Sequence, residues 1–155
     1  MAPTHAAPVV TLRGVGKAFG TGTLALDGLD LDIRDGEFLS LLGPSGCGKS
    51  TALRIVAGLG EPTRGTVSWS SPEARKGLGF VFQEPTLMPW ATVFNNVFLP
   101  LKLSGASRDA VEARVIETLG RIGLSDFADA YPRELSGGMR MRVSIARALV
   151  TAPRI

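Results

Sequence analysis

The stretch that most constrains this chain is GPSGCGKST, from Gly43 to Thr51. It follows the short apolar run EFLSLLG (37–43) and leads into ALRIVAGL, where Leu53, Ile55, Val56 and Leu59 recur at helical spacing and Gly58 and Gly60 close the segment. A glycine-rich turn between a buried strand and a helix N-terminus has an unusual capacity. Its glycines reach backbone angles closed to other residues, so several N–H groups can converge on one anion. The helix directs its positive end at the same point. The pattern G-x-x-x-x-G-K-[ST] runs from Gly43 to Ser50, and in a strand–turn–helix setting it reads as a phosphate loop. The candidate nucleotide-binding residues are therefore Gly43, Pro44, Ser45, Gly46, Cys47, Gly48, Lys49, Ser50 and Thr51. Lys49 is expected to reach the β- and γ-phosphates and Ser50 to ligand Mg²⁺. The competing reading is a glycine-rich turn with an exposed lysine.

The rest of the chain falls into two characters. VVTLRGVGKAF and LALDGLDLDI alternate in part and predict a small antiparallel sheet; KGLGFVFQE predicts a further compact strand. After Pro85 the pattern turns helical: TVFNNVFLPLKLSG, then SRDAVEARVIETLGRIG with Val111, Val115, Leu119 and Ile122 on one face, then SGGMRMRVSIARALV with Pro153 just beyond it. Hydrophobic residues at 45% and charged residues at 20% fit a folded domain. No run reaches the roughly 18 apolar residues that a membrane span needs. MAPTHAAPVV lacks the basic start and apolar core of a signal peptide, so a cytoplasmic location is expected. The single cysteine, Cys47, excludes an intramolecular disulfide and a cysteine zinc site, and the single histidine, His5, excludes a histidine metal cluster. A net charge of +3 does not argue for a nucleic-acid partner. Cys47 reads either as a small filler or as an activated thiol beside Lys49; the second reading requires that alkylation of Cys47 block nucleotide binding.

Two further motifs narrow the family. LSGGM, from Leu135 to Met139, lies some ninety residues after the phosphate loop, and FQEPTLMPW (82–90) lies between them. With these three motifs in this order, residues 9–155 resemble the nucleotide-binding subunit of an ATP-binding cassette (ABC) transporter, whose signature is LSGGQ. The resemblance implies an α/β fold of the phosphate-loop type: an N-terminal antiparallel β subdomain and α/β core over 9–84, a helical subdomain over 85–135, and the signature helix with the start of the next strand over 136–155. Residues 1–8 would be a disordered leader. It implies ATP and Mg²⁺ as ligands. Ser136, Gly137 and Gly138 open a helix and would form a second anion site, meeting ATP held by the phosphate loop of a second ATP-binding subunit in a head-to-tail dimer. Gln83 would contact Mg²⁺ and sense the transport domain, which makes it catalytic together with Lys49. Phe19 would stack on adenine. The implied partners are transmembrane permease subunits and a periplasmic or extracellular solute-binding protein, at the inner face of the cell membrane. The Pro-Trp after the glutamine motif and the methionine in the signature resemble importers of nitrate, taurine or aliphatic sulfonates. Met139 and Met141 stand where the family has glutamine. Trp69 reads as a core residue; Trp90 has no assigned chemistry.

The family also requires an apolar strand ending in Asp then Glu, soon after the signature helix, and a later histidine. Residues 135–155 hold four arginines and no carboxylate. Asp30 and Asp32 lie in an alternating run before the loop, Glu84 belongs to the glutamine motif, and His5 lies in the leader, so none matches the missing groups. The expectation is therefore the N-terminal part of a longer transport ATPase, with the 155 residues by themselves not competent for hydrolysis. Two alternatives stay open. One is a non-hydrolysing nucleotide- or permease-binding protein, which would need a proper capped or polar C-terminus. The other is a non-transport ABC ATPase, which would need long heptads or a tandem cassette.

Overall fold

The computed structural model describes residues 7–20 and 22–155. His5 and most of the expected leader lie outside the described residues. Pro8, the last residue of that expected leader, opens the first strand.

Three strands form one antiparallel sheet in the order β2-β1-β3: β1 (Pro8–Ala18), β2 (Leu24–Arg34) and β3 (Arg64–Trp69). β1 lies in the middle because it has partners on both sides, Leu12 pairing with Leu31 of β2 and with Val67 of β3. Val10, Leu12 and Val15 are fully buried, and the cluster they head takes in Ile55 and Val56 of the first helix. Asp30 and Asp32 serve this sheet. Asp30 accepts from the Gly14 N–H at 2.6 Å, at the bulge between Leu12 and Val15, and Asp32 pairs with Arg13 at 2.7 Å.

Helix α1 (Lys49–Val56) follows the glycine loop. Ala52, Ile55 and Val56 form its buried face, whereas Leu53 and Leu59, expected in the stripe, stay exposed. A short α2 (Pro72–Lys76) starts at Ser71, whose Oγ accepts from the Ala74 N–H. The helical part comprises α3 (Val93–Leu103), α4 (Arg108–Arg121) and α5 (Gly137–Leu149). Its core contains Val93, Val97, Val115, Leu119, Leu124 and Val143. The helical spacings named above bury as expected: Val115 and Leu119 fully, Val111 and Ile122 in part.

Two expected strands are not strands. Residues 37–43 and 77–83 adopt no ladder, and Phe38 and Leu42 stand 95% and 89% exposed. A strand exists only by pairing; among the described residues nothing pairs with either run, so their apolar composition finds no sheet. The chain separates into two compact units: residues up to Leu78 with Ile155, and Gly79–Arg154. The boundary thus falls before the glutamine motif, not after residue 84, and the signature helix belongs to the same unit as 85–135. No strand begins within 150–155.

Asn96 shows how the second unit is held. It is fully buried, accepts from the Met88 N–H at 2.8 Å, and donates to the carbonyls of Met88, Ala91 and Thr92 at 3.0–3.2 Å. Asn96→Ala takes the partner from the Met88 N–H and the Ala91 carbonyl and leaves a cavity at a fully buried position, so urea unfolding should show a loss of about 2–4 kcal/mol.

Candidate nucleotide-binding site

In the first unit the glycine loop has the backbone an anion cradle needs. Gly43, Gly46 and Gly48 have φ of 150°, 83° and 95°, a region that favours glycine. Gly48 is the N-cap of α1 and supplies no side-chain cap, and the first turn holds no acidic residue. The first N–H groups of a helix have no partner within it. Here they are left to the loop's concave side, with the positive helix end behind them. Ser50 is exposed in that first turn and Thr51 half-buried.

Lys49 lies across the loop: its Nζ donates to the carbonyls of Gly43 at 2.8 Å and Pro44 at 2.6 Å and lies 3.4 Å from Cys47 Sγ. A cation held by two neutral carbonyls is a cation ready for a better acceptor, since bonds to charged groups are roughly twice as strong. Cys47 has a packing role as well. A Cβ on Gly43 would meet its Sγ at 2.7 Å, so thiol and glycine fit each other. Ser45 and Gly46 are exposed at the loop's tip.

Phe19 directly follows β1, at a tight turn in which Gly22 N–H donates to its carbonyl at 2.8 Å. Its ring is 46% exposed with Lys17 Nζ 5.8 Å above it, which leaves a face open to stacking. Trp69 is partly buried against the sheet cluster, as its core reading expects.

The second unit holds Gln83 and the signature. Gln83 is exposed in an irregular segment. Ser136 caps α5, its Oγ accepting from the Met139 N–H at 3.2 Å. Leu135 is buried and anchors the turn, and Met139 packs in part on the helical core, which gives the methionine in the signature a physical use. Gly137 and Gly138 are exposed, and Trp90 stands 76% exposed. The three arginines of α5 were not read as site residues from the sequence, although a helix with three cations and no acid was a signal. Each reaches main-chain carbonyls: Arg140 that of Leu135 at 2.9 Å, Arg142 that of Ile122 at 2.8 Å, Arg147 that of Thr86 at 2.9 Å.

Ser50 and Gln83 offer neutral oxygens, and among the described residues no group of three His, Cys, Asp or Glu could hold a metal unaided. A single hydroxyl or amide oxygen is the kind of protein ligand that Mg²⁺ accepts alongside phosphates and water.

The profile of the ABC transporter family matches residues 26–155. The chain is 47% identical over 144 residues to the aliphatic sulfonates import ATP-binding protein SsuB 1 of Mesorhizobium japonicum, covering 92% of this chain and 54% of that protein. It is 41% identical over 158 residues to the spermidine/putrescine import ATP-binding protein PotA of Photobacterium profundum, covering 98% and 42%. The solved dimeric structure of the ATP-binding cassette MJ0796 bound to ADP and Pi matches with a TM-score of 0.84 at 37% identity, over 93% of this chain and 70% of that one. The chain spans about half the length of the curated relatives it matches.

Proposed function

The chain belongs to the ABC transporter family, and on that premise we propose that it is the ATP-binding part of an importer, coupling ATP binding and hydrolysis to solute uptake. The observation that carries this reading is the bare start of α5. If Gly137 and Gly138 were glycine for packing within the unit, a side chain there would collide with it. Instead a Cβ at Gly138 would meet nothing within 4 Å, and one at Gly137 only Arg140 Nη2 at 4.0 Å. The room left open is room for something from outside the unit. Beneath it lie the Ser136 hydroxyl and the free N–H groups of a helix start, an environment suited to phosphate. ATP held by the phosphate loop of a second subunit fits that space, which is the head-to-tail dimer of the family; the MJ0796 cassette is itself dimeric in its solved structure.

In this reading Lys49 leaves its two carbonyls for the β- and γ-phosphates, the α1 N–H groups bind the same oxygens, and Phe19 stacks on adenine, worth roughly 1–3 kcal/mol. Mg²⁺, for which Ser50 and Gln83 are the proposed ligands, would neutralise phosphate charge. The permease subunits and a solute-binding protein complete the importer, and the chain sits peripherally at the inner face of the membrane. No helix among the described residues is long and apolar enough to cross one. The two relatives named serve import of aliphatic sulfonates and of spermidine/putrescine. The Pro89–Trp90 pair and Met139 favour the sulfonate, taurine and nitrate class, and uptake of labelled alkanesulfonate and of putrescine in a strain lacking the gene distinguishes them.

For the 155 residues alone the expected result is weak saturable binding of Mg·ATP without turnover. Asp30 and Asp32, the carboxylates weighed as replacements, are engaged in the sheet, and each lost electrostatic group commonly costs 10²–10³ in rate. Calorimetric titration and phosphate release test this. Absence of saturable binding would sink the nucleotide reading; turnover that Lys49→Ala removes would sink the claim of incompetence.

A further inference from the structure

Arg147 makes more bonds than any other α5 arginine, and all of them go to one short turn. Its Nη1 donates to the Thr86 carbonyl at 2.9 Å, and its Nη2 to the Pro85 carbonyl at 3.1 Å and to Thr86 Oγ1 at 2.9 Å. Thr86 itself has φ of 47°, an uncommon conformation for a β-branched residue. Such backbone persists only where the surroundings hold it, and here a guanidinium fork holds a residue three positions beyond Gln83. The fork's geometry matters: two nitrogens in one plane address two successive carbonyls and a hydroxyl, which an ammonium cannot do. Burial pushes the Arg147 guanidinium below its ordinary pKa, in keeping with a group withdrawn from water to serve this turn. At the other end of the same helix, Arg140 fastens the carbonyls of Leu135 and Pro132 that precede Ser136. One helix thus grips the signature turn with one arginine and the glutamine segment with another.

We propose that Arg147 is a positioning residue for Gln83, clamping the strained Pro85–Thr86 turn to α5 so that the glutamine segment and the signature move as one body. The proposal rests on the nucleotide reading for what Gln83 does, but not for the clamp itself. Arg147 touches no ligand; it acts by fixing where the residue three positions upstream of Thr86 can reach. A cation serving only to neutralise charge or fill space would be replaceable by lysine, and a positioning fork would not.

The test uses the full chain with Arg147→Lys and Arg147→Ala. Hydrogen exchange of the Met88 amide, which donates to Asn96 Oδ1 just beyond the clamped turn, should accelerate at least about tenfold in both variants, with the α5 amides and the urea midpoint nearly unchanged. The Mg²⁺ concentration giving half of the Mg²⁺-dependent gain in ATP affinity should rise about tenfold in Arg147→Lys, while affinity for metal-free ATP stays the same. Wild-type protection in Arg147→Lys would overturn the clamp, as would acceleration spread evenly over 79–154. Faster exchange with an unaltered Mg²⁺ dependence would overturn the positioning of Gln83. If the wild-type chain binds no ATP, the nucleotide reading fails and the exchange measurement still decides the clamp. Should Arg147→Ala fail to fold, Arg147→Lys carries the test, and Thr86→Ala, which removes one of three acceptors, should show a smaller effect in the same direction.

Discussion

Lys49→Ala should lower the affinity for Mg·ATP by about ten- to a hundredfold while leaving stability almost unchanged. A hydrogen bond to a charged group contributes about 1.5–3 kcal/mol, and 1.4 kcal/mol is a factor of ten in affinity. The side chain is only half-buried, and its bonds to Gly43 and Pro44 close a local loop without joining distant parts of the chain. Its removal therefore slackens the loop and leaves the core of Val10, Leu12 and Ile55 intact. Lys49→Arg keeps the charge, but its planar fork needs more room than a compact ammonium between two carbonyls 2.8 and 2.6 Å away. It should recover part of the affinity at most. Calorimetric titration of the three proteins decides the matter: an alanine variant that binds like wild type would show that the loop holds its ligand without the lysine, or holds none.

What could be read in the sequence was what depends on neighbours in sequence. The phosphate loop was legible because its glycines, lysine and serine are contiguous and their chemistry is local. The helices were legible because Val115 and Leu119, four apart, share a face whatever lies around them. Strand pairing is not local, and there the reading failed in both directions. EFLSLLG and KGLGFVFQE are apolar enough for strands, but among the described residues they find no partner. Arg64–Trp69 was passed over, although Val67 and Trp69 alternate, and it pairs with β1 from Val10 to Gly16. Leu53 and Leu59 belong to a helical stripe by spacing and to the surface in fact, because the sheet side of α1 is filled by Ile55 and Val56. The polar supports were invisible. Nothing in TVFNNVF says that Asn96, not Asn95, carries four bonds to the preceding loop. Nor does an arginine-rich helix reveal that its cations answer to carbonyls of Leu135, Ile122 and Thr86. The candidate site shows the same division: its first contacts are motif, and its scaffolding is tertiary.

Gly48→Ala should abolish nucleotide binding and destabilise the first unit by about 3–5 kcal/mol. Two independent costs meet at this position. The φ of 95° is strained for any residue with a Cβ, and that Cβ would lie 2.3 Å from the Ala25 carbonyl oxygen and 2.8 Å from Leu26 Cδ2. Because Ala25 belongs to β2, relief requires moving either the strand or the N-terminus of α1, whose N–H groups are proposed to bind phosphate. Neighbouring glycines separate the two costs. Gly46 has φ of 83° but open space around it, so Gly46→Ala should lose only the conformational part, about 1–2 kcal/mol, together with the loop's fit to phosphate. Gly138→Ala meets neither constraint within its own unit and should leave the urea midpoint where it is. Unfolding curves for the three variants therefore rank angle plus clash, angle alone, and neither. Gly48→Ala with wild-type stability would show that β2 and the loop can part without cost, and the rigid cradle inferred from them would have to be given up. Gly138→Ala carries the opposite information: full stability with weakened nucleotide-dependent dimerisation is what a glycine kept clear for an external phosphate demands.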